Sequence, residues 1–478
     1  MAKERVLNID FATAASPDWL TKHLPQHIWR DDEQPGSVQN VQIKKIWESS
    51  KRVTVLYDIA YNGSVQGGCT QQYVGYIVPD DKLEKEFSRT AKKAKTIPPV
   101  GKPVALLKEA NLVLAAFPNE RRMPLIQVDD FAQWLPKNLQ NISFGEFRGQ
   151  TWDLLEGEIE TLKYVPDKRY TTMCNFRLRG KKEGGFANIS FVAKQLADDK
   201  KARFLLNSLR KLARAWDGAA EASDPKYRLT GPVRIPRPLG KLPHKPVVFI
   251  ETIIGQNLKH VLDEINQERV LPKTGALLAN FHKADRRVRT KITCRNEIEE
   301  VRETGGVVSK TLPMLENRIK AFFKAWRSVT WQDDAPEVIL HGSYRLNHIF
   351  INADEELALL DLDSVRMGRP AYDIANFIAS NYYLEAQGRF SAEERRRIHE
   401  LFLQGYCEHT GFSISQKSVL WFLASLLINK QAFKYVNHSH GDAAEKVELM
   451  LSWAEKCLAN CLRCDETALL DELSDLLP

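Results

Sequence analysis

Apolar and polar positions change rhythm about halfway along the chain. In the first part, apolar residues alternate with polar ones in runs such as "VTVLYDIAY" from Val53 and "YTTMCNFRL" from Tyr170. Such alternation, closed by turns rich in Gly, Asp and Lys, predicts β-strands. Beyond Gly255 the apolar positions recur at spacings of three and four. "LPKTGALLANFHKAD" sets Leu277, Leu278 and Phe281 on one side and predicts a helix starting at Pro272. "SAEERRRIHELFLQGY" opens with Ser391 and Glu394 in capping-box spacing. "SVLWFLASLLIN", Ser418 to Asn429, predicts a buried helix, too short to cross a bilayer. Strands early and helices late predict an α+β protein rather than alternating βαβ units.

The strand-rich part repeats itself. "KRVTVLYDIAYNGSVQGG" from Lys51 and "KRYTTMCNFRLRGKKEGG" from Lys168 share their Lys-Arg, Thr and Gly-Gly positions at one fixed offset. After a one-residue slip, "YVGYIVPDDK" from Tyr73 aligns with "FVAKQLADDK" from Phe191. Each copy is expected to form three strands, and the pair a duplicated sheet. The alignment sets Lys194 against Tyr76. A lysine in an apolar strand either meets an anion or lies on a sheet edge and reaches water. The polar stretch Leu135 to Gln150 separates the copies, and the Pro- and Gly-rich stretch Arg228 to Pro246 follows the second. The expected divisions are residues 1–142, 143–245 and 246–478. "VVFIETIIGQNL" then predicts a buried strand and a turn at Gly255.

The candidate chemistry lies in "HGSYRLNHIFINADEELALLDLDSVRMGRPAYDIANF", His341 to Phe377. "PEVILHG", "HIFIN" and "LALLDLD" are predicted strands. A tight hairpin centred near Asp354 sets Asn347 opposite Asp361. An amide oxygen and a carboxylate brought together in this way are hard ligands suited to Mg2+. Asp363 shares their face if the strand continues. The alternative is a solvated acidic hairpin end.

This stretch resembles the His-Gly-Asp-x-x-x-Asn … Ile-Asp-Phe-Asp … Gly-x-Pro-x-x-Asp-Leu-Ala signature of the aminoglycoside phosphotransferase-like enzymes. The resemblance implies a bilobed protein kinase-like fold, with a β-rich ATP-binding N-lobe and a helical C-lobe. A β-rich N-terminal cap repeating part of the N-lobe would precede them. It implies Mg-ATP bound between the lobes and transfer of a phosphoryl group to a hydroxyl of a small molecule. Lys194 would hold the phosphates, with Lys168 and Arg169 lying over them. Adenine would dock at the hinge around Glu251 and Ile253. Asn347 and Asp361 would bind the metal ions, Asp363 would support them, and Asp373 would hold the loop.

Two departures stand out. Ser343 occupies the position of the family's catalytic aspartate, and serine is a poor base at pH 7. The helix after Lys194, "KKARFLLNSLRKLARAWDG", contains no glutamate to pair with that lysine, and Asp198 and Asp199 stand only at its start. Either the chain is a pseudokinase, binding nucleotide as a regulatory or scaffold protein, or catalysis persists because the acceptor needs no strong base or another acid, such as Asp363, supplies it.

Composition changes this picture little. The chain has 478 residues, 43% hydrophobic and 27% charged, with a net charge of +7 and the two signs interspersed. The basic runs His282 to Asn296 and Ser88 to Thr96 are solvated faces or nucleic-acid contacts, and they lack the aromatics that single-strand binding favours. Nucleic acid is therefore not the expected partner, whereas the cap could take a protein partner. Seven cysteines form no disulfide framework. Cys457, Cys461 and Cys464 have a spacing known from iron–sulfur sites, but one helical face of small hydrophobes explains them too. His438 and His440 are expected in a polar loop. The N-terminus carries no secretory pattern, and a cytoplasmic protein without membrane contact is expected.

Overall fold

The computed structural model describes residues 12–31, 36–49, 52–62, 69–120, 123, 125–132, 134–135, 151–181, 185–219, 233–285, 288–331, 334–437, 442–465, 468 and 470–478. The expected boundary at 142/143 and the pair His438 and His440 lie outside these residues. The chain is α+β and divides into two compact units. One runs up to Arg203 and includes Leu239–Ile250; the other comprises Phe204–Pro238 and Glu251–Pro478.

The first unit contains the repeat. After α1 (Pro17–His23), β1 (Ser37–Ser49), β2 (Arg52–Asn62) and β3 (Cys69–Ile77) lead through α2 (Asp80–Lys93) to β4 (Val104–Leu107) and β5 (Leu112–Ala116). The short α3 (Val128–Ala132) follows. Then β6 (Trp152–Val165), β7 (Arg169–Gly180) and β8 (Phe186–Leu196) lead through α4 (Asp199–Ala219) to β9 (Pro238–Lys241) and β10 (Val247–Glu251). The strand orders are β1-β2-β3-β5-β4 and β6-β7-β8-β10-β9, the same path traced twice. Registers agree as well: Thr54 pairs with Tyr76, and Thr171 pairs with Lys194. The duplicated sheet expected from the sequence is therefore present, and each copy holds five strands rather than three. The pattern missed β4 and β5, each only four or five residues long, whereas β10 is the buried strand expected in "VVFIETIIGQNL".

Each copy retains half of a lysine–glutamate pair. The second has Lys194 but no glutamate anywhere in α4; the first has Tyr76, with a buried Glu86 in α2. Glu86 instead joins a buried network. Arg52 is ion-paired to Asp167 and to Glu86 at 3.7 Å, and its guanidinium lies 4.6 Å from the centre of the Tyr76 ring. Glu120 accepts hydrogen bonds from Tyr76 Oη (2.9 Å), Tyr164 Oη (2.8 Å) and the Asp167 backbone N–H (2.9 Å). Asp167 belongs to the turn between β6 and β7 and has φ +60°. The first copy thus grips the hairpin turn of the second through a network centred on Tyr76, the counterpart in its own sheet of Lys194.

The second unit is mainly helical. β11 (Gln256–Asn257), α5 (Leu258–Val261), α6 (Gln267–His282), α7 (Cys294–Thr311) and α8 (Glu316–Arg327) precede four short strands. These are β12 (Val338–Leu340), β13 (Ile349–Ile351), β14 (Leu357–Leu359) and β15 (Arg366–Gly368). Then follow α9 (Ala371–Ala386), α10 (Ala392–His409), α11 (Gln416–Leu426), a π-helical turn Leu427–Ala432, α12 (Phe433–Asn437) and α13 (Ala443–Arg463). The Ser391–Glu394 capping box forms as expected. Pro272 does not start its helix: α6 begins at Gln267, where Asn266 caps it by accepting from Arg269 N–H. The missing Pro272 N–H is tolerated one turn in, where the partner carbonyl would belong to the exposed Glu268. Among the described residues no helix is long and apolar enough to cross a membrane.

Candidate functional site

β12 delivers His341, Gly342 and Ser343 into a loop that is anchored from below. Asp373, in the first turn of α9, is fully buried and accepts from the backbone N–H of His341 (2.6 Å) and of Gly342 (2.8 Å). Its Oδ2 also lies 3.3 Å from His282 Nε2. Burial pushes the Asp373 carboxyl up, but the hydrogen bond and charge of His282, with the backbone N–H of His341, outweigh it and hold its pKa below the ordinary value. Gly342 has φ +77°, and a Cβ there would stand 2.3 Å from the Ser364 carbonyl oxygen, so the close turn requires glycine.

The hairpin has the register expected from a turn centred on Asp354: Ile349 pairs with Leu359, Phe350 with Ala358 and Ile351 with Leu357. Leu360 N–H continues it to the His348 carbonyl at 2.8 Å. Asn347 and Asp361 are the next residues beyond that last bond on the two arms. Asn347 is exposed, and its carbonyl accepts from Asn257 Nδ2 at 2.6 Å. Asp361 takes a left-handed conformation, φ +58°, which costs a non-glycine residue about 1–3 kcal/mol and marks a place where the surroundings dictate the backbone. The strand stops at Leu359, and Leu362–Ser364 form a 3₁₀ turn. Asp363 therefore does not continue on the face of Asp361, contrary to the expectation from alternation, because Asp361 itself is left-handed and turns the chain.

Ser343 stands between two imidazoles. Its Oγ is 3.5 Å from His341 Nδ1 and 3.4 Å from His348 Nδ1. His341 Nε2 donates to the Leu360 carbonyl at 2.8 Å, which leaves Nδ1 as an acceptor. Burial holds the His341 pKa below its usual value, so the ring is neutral at pH 7. His348 Nε2 accepts from Arg345 Nε (3.0 Å) and Nη2 (2.8 Å), which puts the His348 proton on Nδ1, facing Ser343. His348 Nε2 also lies 3.4 Å from Asp361 Oδ2. Sequence reasoning missed His348 and Arg345. Their only signal was two polar residues inside the motif, at positions where its pattern leaves the residue unspecified.

The hinge is tied to this loop. Gly255, φ +149°, lies against Ile351, and Gln256–Asn257 pair with Ile351–Phe350. Glu251 accepts from Arg234 Nη2 at 2.6 Å and from Arg237 N–H at 3.1 Å, and its own N–H donates to the Arg237 carbonyl. Its carboxylate and its N–H are thus engaged within the fold. Among the described residues no hydrogen bond engages the Ile253 backbone.

The remaining expected residues lie in the first unit. Lys194 is 7% exposed on β8, an interior strand between β7 and β10, which removes the sheet-edge alternative. Lys168 is exposed in the β6–β7 turn, and Arg169 opens β7, half-buried. Asp199 is committed to Lys241 and Arg203. Cys457 and Cys461 are buried on α13, and burial raises both thiols, that of Cys461 to about 12, as small core residues would show. Among the described residues no group of three or more His, Cys, Asp and Glu could hold a metal ion. One amide oxygen and one carboxylate fit Mg2+, which keeps several waters and takes phosphate oxygens for the rest.

Residues 210–410 match the family model described as the phosphotransferase enzyme family, so this part of the chain is phosphotransferase-like. No curated protein matches. Among solved structures, a putative aminoglycoside phosphotransferase from Ralstonia eutropha is 13% identical, with 71% of this chain and 99% of that one covered and a TM-score of 0.45. The choline kinase LicA from Streptococcus pneumoniae is 13% identical over 68% and 99%, with a TM-score of 0.39. An amicoumacin kinase in complex with AMP-PNP and Ca2+ is 11% identical over 62% and 87%, with a TM-score of 0.43.

Proposed function

We propose that this chain, with its phosphotransferase-family match over residues 210–410, binds a nucleoside triphosphate with Mg2+ and transfers a phosphoryl group to a hydroxyl of a small molecule. The anchorage of the catalytic loop supports this most. A buried carboxylate accepting two consecutive backbone N–H groups is a costly device for a mere connection. It is well suited to holding Ser343 and Asn347 in fixed positions beside Asp361.

In this reading Asn347 and Asp361 hold the metal ion, which would neutralise charge on the transferring group. Lys194 supplies a cation to the phosphates, and Lys168 and Arg169 present further positive charge from the β6–β7 turn. The Ile253 backbone receives the base, while Glu251 shapes the hinge through Arg234 and Arg237. In place of the family's carboxylate, the loop offers Ser343 Oγ and behind it the unprotonated His341 Nδ1. Lacking a positioned carboxylate base, turnover is slowed on the order of 10²–10⁴-fold.

A second reading, a nucleotide-binding protein without transfer, is favoured by Ser343 and by the absence of any glutamate from α4, the helix that follows Lys194. Calorimetry with ATP and Mg2+ on the wild type and on Lys194→Met, then hydrolysis by wild type and Ser343→Asp, tests both. No heat from the wild type ends both readings. Binding weakened by Lys194→Met, with turnover rising on the order of 10²-fold in Ser343→Asp, supports a phosphotransferase site. Binding with no turnover in either protein leaves the second reading.

A further inference from the structure

Ser343 has the surroundings of a nucleophile. A hydroxyl becomes reactive when an unprotonated imidazole nitrogen faces it and a third group orients that imidazole. All three parts are present. His341 Nε2 donates to the Leu360 carbonyl at 2.8 Å, which orients the ring and leaves its lone pair on Nδ1, 3.5 Å from Ser343 Oγ. The N–H of His348 Nδ1 faces the same oxygen from 3.4 Å. Ser343 can donate to one ring and accept from the other, and a lone pair on Oγ remains for an electrophile. Both distances are longer than the roughly 2.6–3.2 Å of a working nucleophile–base contact, as is common before a reaction partner binds.

The backbone under Ser343 is held from both sides. Asp373 takes the N–H groups of His341 and Gly342. The Gly342 carbonyl accepts from Asn376 Nδ2 at 3.3 Å and from Lys430 Nζ at 3.2 Å, the latter reaching over from the π-helical turn Leu427–Ala432. The Gly342–Ser343 peptide is thereby fixed in orientation, so little ordering of the nucleophile is left for the moment of reaction. The neighbouring hydroxyl differs: Tyr344 is fully buried and donates to the Thr274 carbonyl at 2.6 Å. Ser343 is only half-buried. An imidazolium formed at His341 would feel the negative charges of Asp373 and Asp361. An aspartate in place of Ser343 could serve only the hydroxyl of another molecule, whereas serine brings its own.

We propose that Ser343 is a nucleophile activated by His341, and that it takes the phosphoryl group onto its own Oγ. Oγ bonds to the γ-phosphorus of the nucleotide while the bond from that phosphorus to the bridging oxygen breaks. The electron pair leaves with the nucleoside diphosphate, and the Ser343 proton passes to His341 Nδ1. The product is phosphoserine at position 343. The donor rests on the nucleotide site proposed above, but the nucleophile can be tested without it, using a fluorophosphonate. In that reaction Oγ bonds to phosphorus, fluoride leaves, and the proton takes the same path.

The full chain is treated with the fluorophosphonate and, separately, with ATP and Mg2+. Mass spectrometry of the tryptic peptide Ser328–Arg345 then separates Ser343 from Ser328, Thr330 and Tyr344. The expected result is fluorophosphonate on Ser343 of the folded chain, none in urea and none in Ser343→Ala. The rate should fall roughly tenfold or more in His341→Gln, whose amide cannot take the proton. Phosphate from ATP should appear on the same residue and be absent from Lys194→Met. Thermal unfolding identifies a His341→Gln chain that fails to fold, and wild type against Ser343→Ala and against urea then decides alone. The proposal is overturned if folded wild type takes no fluorophosphonate at Ser343, or if folded His341→Gln reacts as the wild type does. It is also overturned if ATP binds by calorimetry and leaves Ser343 without phosphate. Failure of ATP to bind while Ser343 is still labelled is a separate result: it removes the phosphotransferase reading and upholds Ser343 as a nucleophile.

Discussion

Replacing Arg52 by Met should loosen the first unit and free the turn that carries Lys168 and Arg169. Arg52 is 6% exposed, and Asp167 and Glu86 are both ion-paired to it. Breaking a buried ion pair from one side costs about 3–5 kcal/mol, because the other charge remains uncompensated. Loss of the guanidinium from the Tyr76 face adds about 0.5–2 kcal/mol. Met keeps the apolar stem, so packing changes little. Asp167 is not fully enclosed and can turn toward water, which lowers the total, and about 3 kcal/mol is expected. Urea unfolding measures it, read on the first transition, since two compact units need not unfold together. Trypsin supplies the local readout: cleavage after Lys168 or Arg169 should accelerate. The double variant Arg52→Met with Asp167→Asn should recover more than 1 kcal/mol relative to additivity, because the stranded charge is gone. If Arg52→Met shifts stability by less than about 0.5 kcal/mol and the double variant is additive, the network is a surface ornament and the reasoning fails.

Two further predictions concern the loop. Asp373→Asn should destabilise the second unit by about 2–3 kcal/mol at neutral pH, because charged acceptors of backbone N–H groups contribute more than neutral ones. The native pKa of Asp373 is depressed, so its stabilisation is complete above the unfolded value, about 3.9, and is lost as pH falls through the native value. Wild type and Asp373→Asn should therefore converge in stability in strong acid, and a gap that stays constant with pH would contradict this. Gly342→Ala should cost about 2 kcal/mol or more, since its φ is positive and its Cβ would meet the Ser364 carbonyl; unfolding indistinguishable from wild type would show that the turn relaxes freely.

Local features were the legible ones. The capping box at Ser391 and the register about Asp354 follow from neighbours in the chain, and both form as expected. The repeat was legible because each strand alternates and the Gly-Gly turns keep their spacing. Asp363 was misplaced because alternation carries no information about where a strand stops, and a single left-handed residue ends it. Pro272 was misplaced because the starting signal, Asn266, lies upstream of the apolar pattern. Arg52, Glu120 and Asp167 gave no signal at all. Each is an ordinary charged residue in its own surroundings, and only the packing of one copy on the turn of the other makes them a unit.

By itself the amino-acid order determined the α+β class, the duplicated sheet, and the register of the hairpin about Asp354, because alternation, turn chemistry and motif spacing act over short distances. Tertiary structure alone decided the surroundings of Ser343. His341, His348 and Arg345 belong to its own loop, but their ring orientations follow from bonds to Leu360 and to each other. Lys430 arrives from a helix nearly ninety residues away. Electrostatics depends on distance through space and on exclusion of water, and a linear chain specifies neither until it has folded.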